Sequence, residues 1–323
     1  MMAESILSIK NLKTYFFTKK GIVRAVDDIS FDVRKGEILC IVGESGSGKT
    51  VTALSILRLV ESPGKIIEGK MILEGDKLLE LSPQKMQDVR GNKIAMVFQD
   101  PHSSLNPIFT IGDQVSEAIR AHKSASKEEA SMQATQLLEL VGIPMAKERY
   151  HDYPHQFSGG MKQRVVIAMA LACHPRVLIA DEPATALDLT VQAQILDLFL
   201  ELRAKFEMSI IYITHDLGVV SEIADRIVVM YAGRIMEKGR SRDVLGNPVH
   251  PYTKGLMGCL PSEKGIIIPI PGTIPGLINP PVGCIFHPRC INVMDICRME
   301  RPPMTKITDE HYVSCFLYGG VNG

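Results

Sequence analysis

The stretch Gly43-Glu44-Ser45-Gly46-Ser47-Gly48-Lys49-Thr50 constrains this chain more than any other. It fits G-x-x-x-x-G-K-[ST], a loop built to hold phosphate. Glu37-Ile38-Leu39-Cys40-Ile41-Val42 before it reads as a short buried strand, and residues 51–59 after it have helical spacing. The order matters physically. Glycines let the backbone curl so that successive N–H groups converge on phosphate oxygens. The helix that follows adds unpaired N–H groups and a partial positive charge. Lys49 can reach the β- and γ-phosphates, and the Thr50 hydroxyl can ligate Mg²⁺. Gly43, Ser45, Gly46, Ser47, Gly48, Lys49, Thr50 and Val51 are therefore the candidate contacts to a nucleotide. The competing reading is a plain Gly/Ser-rich strand-to-helix turn.

A chain of 323 residues suggests two domains, or one with an appendage. Lys+Arg and Asp+Glu are both 36, and that balance argues against a nucleic-acid protein. No apolar run approaches the roughly 18–20 residues of a membrane helix. Met1-Met2-Ala3-Glu4-Ser5 lacks the basic and apolar regions of a signal peptide, so a cytoplasmic setting is expected. Seven cysteines in such a setting are not expected to pair as disulfides.

Before the loop, residues 6–12 and 23–33 read as strands, and Tyr15 or Phe16 could stack on a base or simply pack. After it, Gly69 to Gly75 reads as a strand and turn, and residues 93–98 as a strand ending at Gln99, a possible Mg²⁺ ligand. Ile111, Val115, Ala118 and Ile119 mark one helix; Met132, Leu137, Leu138, Leu140 and Val141 mark another. Ser158 stands as an N-cap ahead of Gly159 and Gly160 and a helix over 165–173, giving a second anion-ready helix end. Arg176-Val177-Leu178-Ile179-Ala180-Asp181-Glu182 reads as a strand buried on both faces that runs into two carboxylates. Asp181 can hold the Mg²⁺ system, and Glu182 can take a proton from an attacking water. A helix over 191–206, a strand over 209–214 closed by His215, and a hairpin around Tyr231-Ala232-Gly233 complete this part. His215 could sense the γ-phosphate or be structural.

In this order the motifs resemble those of the ABC transporter nucleotide-binding subunits. Residues 43–50 resemble Walker A, Gln99 the Q-loop, and Phe157-Ser158-Gly159-Gly160-Met161 the signature. Residues 177–181 with Glu182 resemble Walker B, Ala186-Leu187-Asp188 the D-loop, and His215 the switch histidine. Met161 departs from the family's usual Gln. The resemblance implies an α/β P-loop NTPase over 1–245, with a RecA-like core, an antiparallel β subdomain and a helical subdomain at about 102–165. It implies ATP and Mg²⁺, the metal held by Thr50, Gln99 and Asp181, with Glu182 and His215 catalytic. It places Phe16 on adenine, with Tyr15 as the alternative. It also implies two such domains clamped head to tail, so that Ser158, Gly159 and Gly160 of one cover the γ-phosphate held by the other.

Residues 246–323 form an expected irregular extension. Residues 261–283 are rich in Pro and Gly, yet too apolar for a free linker. Cys284, Cys290, Cys297 and Cys315 follow at spacings x5, x6 and x17. Four such thiols suit a soft metal centre. The spacing fits zinc's close C-x₂₋₄-C pairs poorly; an iron–sulfur cluster is open, as are four unligated thiols. Cys40, Cys173 and Cys259 are expected to be buried as small apolar groups. Asn279-Pro280-Pro281-Val282-Gly283-Cys284-Ile285-Phe286-His287-Pro288-Arg289-Cys290 resembles the extension of the dipeptide/oligopeptide/nickel branch of ABC importers. That resemblance implies a [4Fe–4S] cluster on the four cysteines; its role is expected to be structural, because a small irregular segment with little core needs a staple. It implies a peripheral subunit on the cytoplasmic face of the membrane, energising import of dipeptides, oligopeptides or, alternatively, nickel. The implied partners are a second ATP-binding subunit (identical or homologous), two membrane permeases and an extracellular solute-binding protein. Two other readings compete. A soluble ABC-type ATPase would usually show a coiled-coil insertion or tandem cassettes, and only 58 residues separate Gln99 from Ser158. An iron–sulfur redox sensor with a vestigial nucleotide fold would have no use for Glu182 and His215.

Overall fold

A computed structural model of the chain describes residues 4–185, 187–259 and 269–319. Residues 1–3, residue Ala186 of the expected D-loop and residues 261–268 of the Pro/Gly-rich stretch lie outside the described residues. The chain divides into two compact units, one made of Met1–Leu79 with Ile213–Gly323 and the other of Glu80–Tyr212.

The first unit opens with a long hairpin, β1 (Ser5–Thr18) and β2 (Gly21–Arg34). Alternation drives it: Leu7, Ile9 and Leu12 on β1 and Ile29, Phe31 and Val33 on β2 are buried, with polar residues between them. β3 (Ile38–Val42) is buried at all five positions, as a parallel strand covered on both faces must be. It feeds the loop and α1 (Lys49–Ile56). β4 (Gly64–Leu73) and β5 (Asp76–Lys77) complete an antiparallel sheet in the order β2-β1-β4-β5.

In the second unit come α2 (Pro83–Val89), β6 (Ile94–Val97) and α3 (Pro101–Ser104). Three helices follow, α4 (Ile111–Arg120), α5 (Lys127–Leu140) and α6 (Ala146–Arg149). Thr110 caps α4, and Ser126 with Glu129 closes a capping box on α5. Ile111, Val115 and Ile119 on α4 are buried, as are Ala130, Ala134 and Leu138 on α5. Met132, expected to mark the same α5 pattern, is 60% exposed. Next come α7 (Gly159–Ala170), β7 (Val177–Asp181), α8 (Leu189–Phe206) and β8 (Ser209–Thr214). β6 and β7 pair in parallel, with Val97 beside Ala180.

The chain re-enters the first unit at Ile213, within β8, and continues with α9 (Leu217–Ile223), β9 (Arg226–Tyr231), β10 (Arg234–Arg240), α10 (Ser241–Gly246) and α11 (Pro251–Gly258). β9 lies parallel to β3, with Val229 beside Val42, and antiparallel to β10. The extension is less irregular than expected. Residues 269–283 do lack helix and strand, but α12 (Asp295–Met299) and a hairpin of β11 (Met304–Lys306) and β12 (Tyr312–Ser314) follow. β12 pairs with β10, Val313 beside Glu237, so the end of the chain adds two strands to this unit's sheet. The apolar residues before it also pack: a side chain added at Gly21 would meet Ile278, and the Arg24 N–H donates to the Leu277 carbonyl at 3.1 Å. Cys40 and Cys173 are buried as expected, but Cys259 is exposed, because it sits at the C-cap of α11 rather than on its packed face.

Candidate functional site

The phosphate loop belongs to the first unit. Gly43 and Gly48 have φ of +153° and +99°. A side chain at Gly43 would collide with the Met230 carbonyl, and one at Gly48 with the Ala25 carbonyl, so only glycine fits either place. Gly48 caps α1 without a side chain, which leaves the first helical N–H groups open toward an anion. Lys49 is 5% exposed and arches over the loop. Its Nζ donates to the carbonyls of Gly43 at 2.7 Å and Glu44 at 3.2 Å. Ser45, Gly46 and Thr50 are exposed, while the buried Ser47 hydroxyl lacks a hydrogen-bond partner among the described residues. An unpaired buried hydroxyl beside a lysine fits a bound phosphate, which would satisfy it.

The two candidate aromatics point to opposite sides of β1. Thr14, two residues from Phe16, meets Ser55 of α1 through their hydroxyls at 2.8 Å, so Phe16 lies on the face toward α1. A side chain at Gly64 would meet the Phe16 ring and Val60, just past α1. Tyr15 faces away. Its hydroxyl donates to Asp27 at 2.6 Å, and Arg24 lies 5.9 Å from its ring centroid. Burial, then the hydrogen bond to Asp27, pushes the Tyr15 hydroxyl up to about 12. Arg234 holds the other Asp27 oxygen at 2.7 Å.

The carboxylates belong to the second unit. β7 is buried throughout and ends on Asp181, which is 3% exposed. The chain then turns sharply: Glu182 has φ of +46°, a left-handed conformation that a side chain adopts only when its surroundings impose it. Gln99 leaves the neighbouring strand β6, and its Nε2 donates to Glu182 Oε2 at 3.2 Å. Thr185, not singled out from the sequence, donates its hydroxyl to the same oxygen at 3.2 Å. An amide and a hydroxyl thus aim one carboxylate, as a general base needs. Ser158 is exposed at the start of α7, its Oγ accepting the Met161 N–H at 3.4 Å. Gly159 is half-buried, and a side chain at Gly160 would press into Val191. Asp188 caps α8, accepting the Val191 N–H at 3.0 Å. In the first unit, His215 is exposed just beyond β8.

Cys284, Cys290, Cys297 and Cys315 come together around one pocket, together with His250, Phe286 and His287. Burial pushes the Cys284 thiol up to about 11, and raises Cys290 and Cys315 as well. Among the described residues no three His, Cys, Asp or Glu side chains are grouped as a single metal ion would require. The donor set, four thiols on one pocket, is of the kind that soft metals take.

Sequence reasoning missed how the extension is held. Glu237 on β10 is fully buried and accepts three hydrogen bonds, from the N–H groups of Val249 and His250 at 2.9 Å each and from His311 at 2.7 Å. Arg289 packs beside Tyr231 and pairs with Glu44 of the phosphate loop. No local signal announces either contact.

Residues 26–185 match the family model described as "ABC transporter", and residues 236–297 match "Oligopeptide/dipeptide transporter, C-terminal region". The chain is 50% identical to "Dipeptide transport ATP-binding protein DppD" of Bacillus subtilis, over 97% of this chain and 95% of the relative. It is 50% identical to "Oligopeptide transport ATP-binding protein OppD" of the same organism, over 97% of this chain and 88% of the relative. Among solved structures, the dimeric post-hydrolysis state of the ATP-binding cassette MJ0796 with ADP and Pi superimposes with a TM-score of 0.65. It is 28% identical, over 73% of this chain and 99% of that one.

Proposed function

The chain belongs to the ABC transporter family of ATP-binding proteins, and on that premise we propose that it is the ATP-hydrolysing subunit of an importer of dipeptides or oligopeptides. The observation that carries this reading is the near full-length match to peptide-transport ATP-binding subunits, which takes in the C-terminal region as well as the cassette. Among the described residues no helix is long and apolar enough to cross a membrane, and this reading assigns the solute path to other subunits. The partners are a second ATP-binding subunit, two permeases and an extracellular solute-binding protein. The subunit sits on the cytoplasmic face of the membrane.

The residues divide the work. Gly43, Ser45, Gly46, Ser47, Gly48, Lys49, Thr50 and Val51 hold the phosphates. Thr50, Gln99 and Asp181 hold Mg²⁺, which offsets charge developing on the γ-phosphate. Glu182 takes the proton of the attacking water; the Gln99 and Thr185 hydrogen bonds support this by orienting its carboxylate. His215 reads the γ-phosphate. Phe16 stacks on adenine, because Tyr15 is committed to Asp27. Ser158, Gly159 and Gly160 serve the nucleotide held by the partner ATPase, and their exposure at a helix start suits that task.

Cys284, Cys290, Cys297 and Cys315 hold a [4Fe–4S] cluster whose role is to staple an extension with little core of its own. The sequence spacing, which lacks zinc's close C-x₂₋₄-C pairs, supports a cluster over zinc. Substrate-stimulated ATPase of the assembled transporter in vesicles, tried with dipeptides, oligopeptides and nickel, tests the transport reading. Stimulation by peptide supports it; stimulation by nickel alone, or by no solute, contradicts it. Iron and sulfide analysis after anaerobic purification tests the cluster, and a colourless protein with stoichiometric zinc would rule it out.

A further inference from the structure

Glu44, the second residue of the phosphate loop, is gripped from two sides by the C-terminal extension. Its backbone N–H donates to the Tyr252 hydroxyl at 3.0 Å. Its carboxylate receives both arms of the Arg289 guanidinium, Nη1 at 2.8 Å and Nη2 at 3.2 Å. Arg289 is itself fixed. Its Nε donates to the Pro271 carbonyl at 2.8 Å, and its plane lies 5.7 Å from the Tyr231 ring centroid. The Arg289 side chain is 4% exposed and that of Glu44 27%, so the fork is largely shielded from water, and a bidentate pair of this kind is directional. Tyr252 is fully buried against Tyr231 and Phe286, which aims its hydroxyl at one place.

The grip reaches the lysine of the loop, because the Glu44 N–H that Tyr252 holds shares its peptide unit with the Gly43 carbonyl, to which Lys49 Nζ donates at 2.7 Å. The tail therefore fixes a peptide unit that helps place the ammonium meant for phosphate. The short turn His287–Arg289 that carries Arg289 is bracketed by Cys284 and Cys290, so the segment that fixes those thiols also fixes the fork.

We propose that Arg289 and Tyr252 are positioning residues of the nucleotide site, acting through Glu44, so that nucleotide affinity depends on a docked C-terminal extension. The inference rests on the reading of residues 43–50 as a nucleotide loop.

The test is binding of Mg·ATP and Mg·ADP to the full chain, with circular dichroism and thermal unfolding measured alongside. Arg289→Ala and Glu44→Ala should each weaken binding about tenfold or more, and the double variant should lose no more than either single one. Arg289→Lys keeps the charge without the fork and should fall between. Lys306→Ala, which breaks an exposed pair with Asp309 on the same extension, should bind as the wild type does. A purely structural role would lower the unfolding temperature and leave the affinity of the folded chain unchanged. Additive losses, or wild-type affinity in both single variants, would overturn the inference. If Arg289→Ala does not fold, Tyr252→Phe decides, since it deletes only the hydroxyl: unchanged affinity overturns the proposal, and weakened affinity upholds it. Wild-type chain that binds no nucleotide would instead overturn the reading of the loop itself.

Discussion

Glu237→Ala is the substitution whose cost the structure defines most clearly. Glu237 is fully buried, and its carboxylate accepts from two backbone N–H groups and one imidazole. Alanine orphans all three donors. His250 and His311 are 1% and 3% exposed, so water does not already serve them. A buried donor left without a partner costs about 1–3 kcal/mol, so the buried His250 N–H and His311 imidazole put the loss at about 2–6 kcal/mol, the part-buried Val249 N–H adding less. Glu237→Gln separates shape from chemistry. With its oxygen toward Val249 and His311, the amide turns its NH₂ toward the His250 N–H, leaving one donor unpaired at about 1–3 kcal/mol. The assay is denaturant unfolding of the full chain, together with hydrogen exchange at the Val249 and His250 amides. Both variants should lose protection there, alanine more than glutamine. An alanine variant within about 1 kcal/mol of wild type, with those amides still protected, would refute the idea that one buried carboxylate fastens the start and the end of the extension to β10.

The same region sets an acid limit. Burial lowers His250 to about 4, so it is neutral when folded; the unfolded chain takes up a proton below about 6.5, and stability should fall with pH from there toward 4 in pH-dependent unfolding. Glu310 is held down to about 2 by Arg240 and Arg34, so it adds stability above its unfolded value of about 4.3 that is lost as pH falls toward 2. Glu310→Gln should flatten that lower limb. Gly43→Ala should abolish ATP binding in a nucleotide titration, because the new methyl strikes the Met230 carbonyl. Ser158→Ala removes the cap of α7 and should cost about 1 kcal/mol in denaturant unfolding; it should also lower ATPase in the assembled transporter while this chain's own ATP affinity is kept.

What the sequence revealed was what neighbouring residues decide. The curl at Gly43 and Gly48, the cap at Ser158 and the buried strand before Asp181 each follow from a few adjacent side chains, and each stands where spacing puts it. α11 carries the same kind of local signal, since His250-Pro251 places a cap before a proline at the first helical position. Pairings across long separations were not legible. Arg289 meets Glu44 across 245 residues and Glu237 meets His311 across 74, and nothing local distinguishes those charges from solvated ones. Pairing of β12 with β10 was hidden for the same reason: β12 is only three residues long, and its register is set by the partner. Cys259 shows the opposite error, where apolar neighbours in sequence suggested burial and the helix end turned the thiol outward.

Steady-state ATP hydrolysis by the assembled transporter carrying Glu182→Gln, measured beside ATP affinity, decides whether Glu182 is the base that drives turnover. Glutamine preserves the shape at the end of β7 and still reaches Gln99, but it cannot accept a proton from water. Turnover should fall by about 100-fold or more with ATP binding retained, so that nucleotide stays trapped in the closed pair of cassettes. Turnover near the wild-type rate would contradict the account.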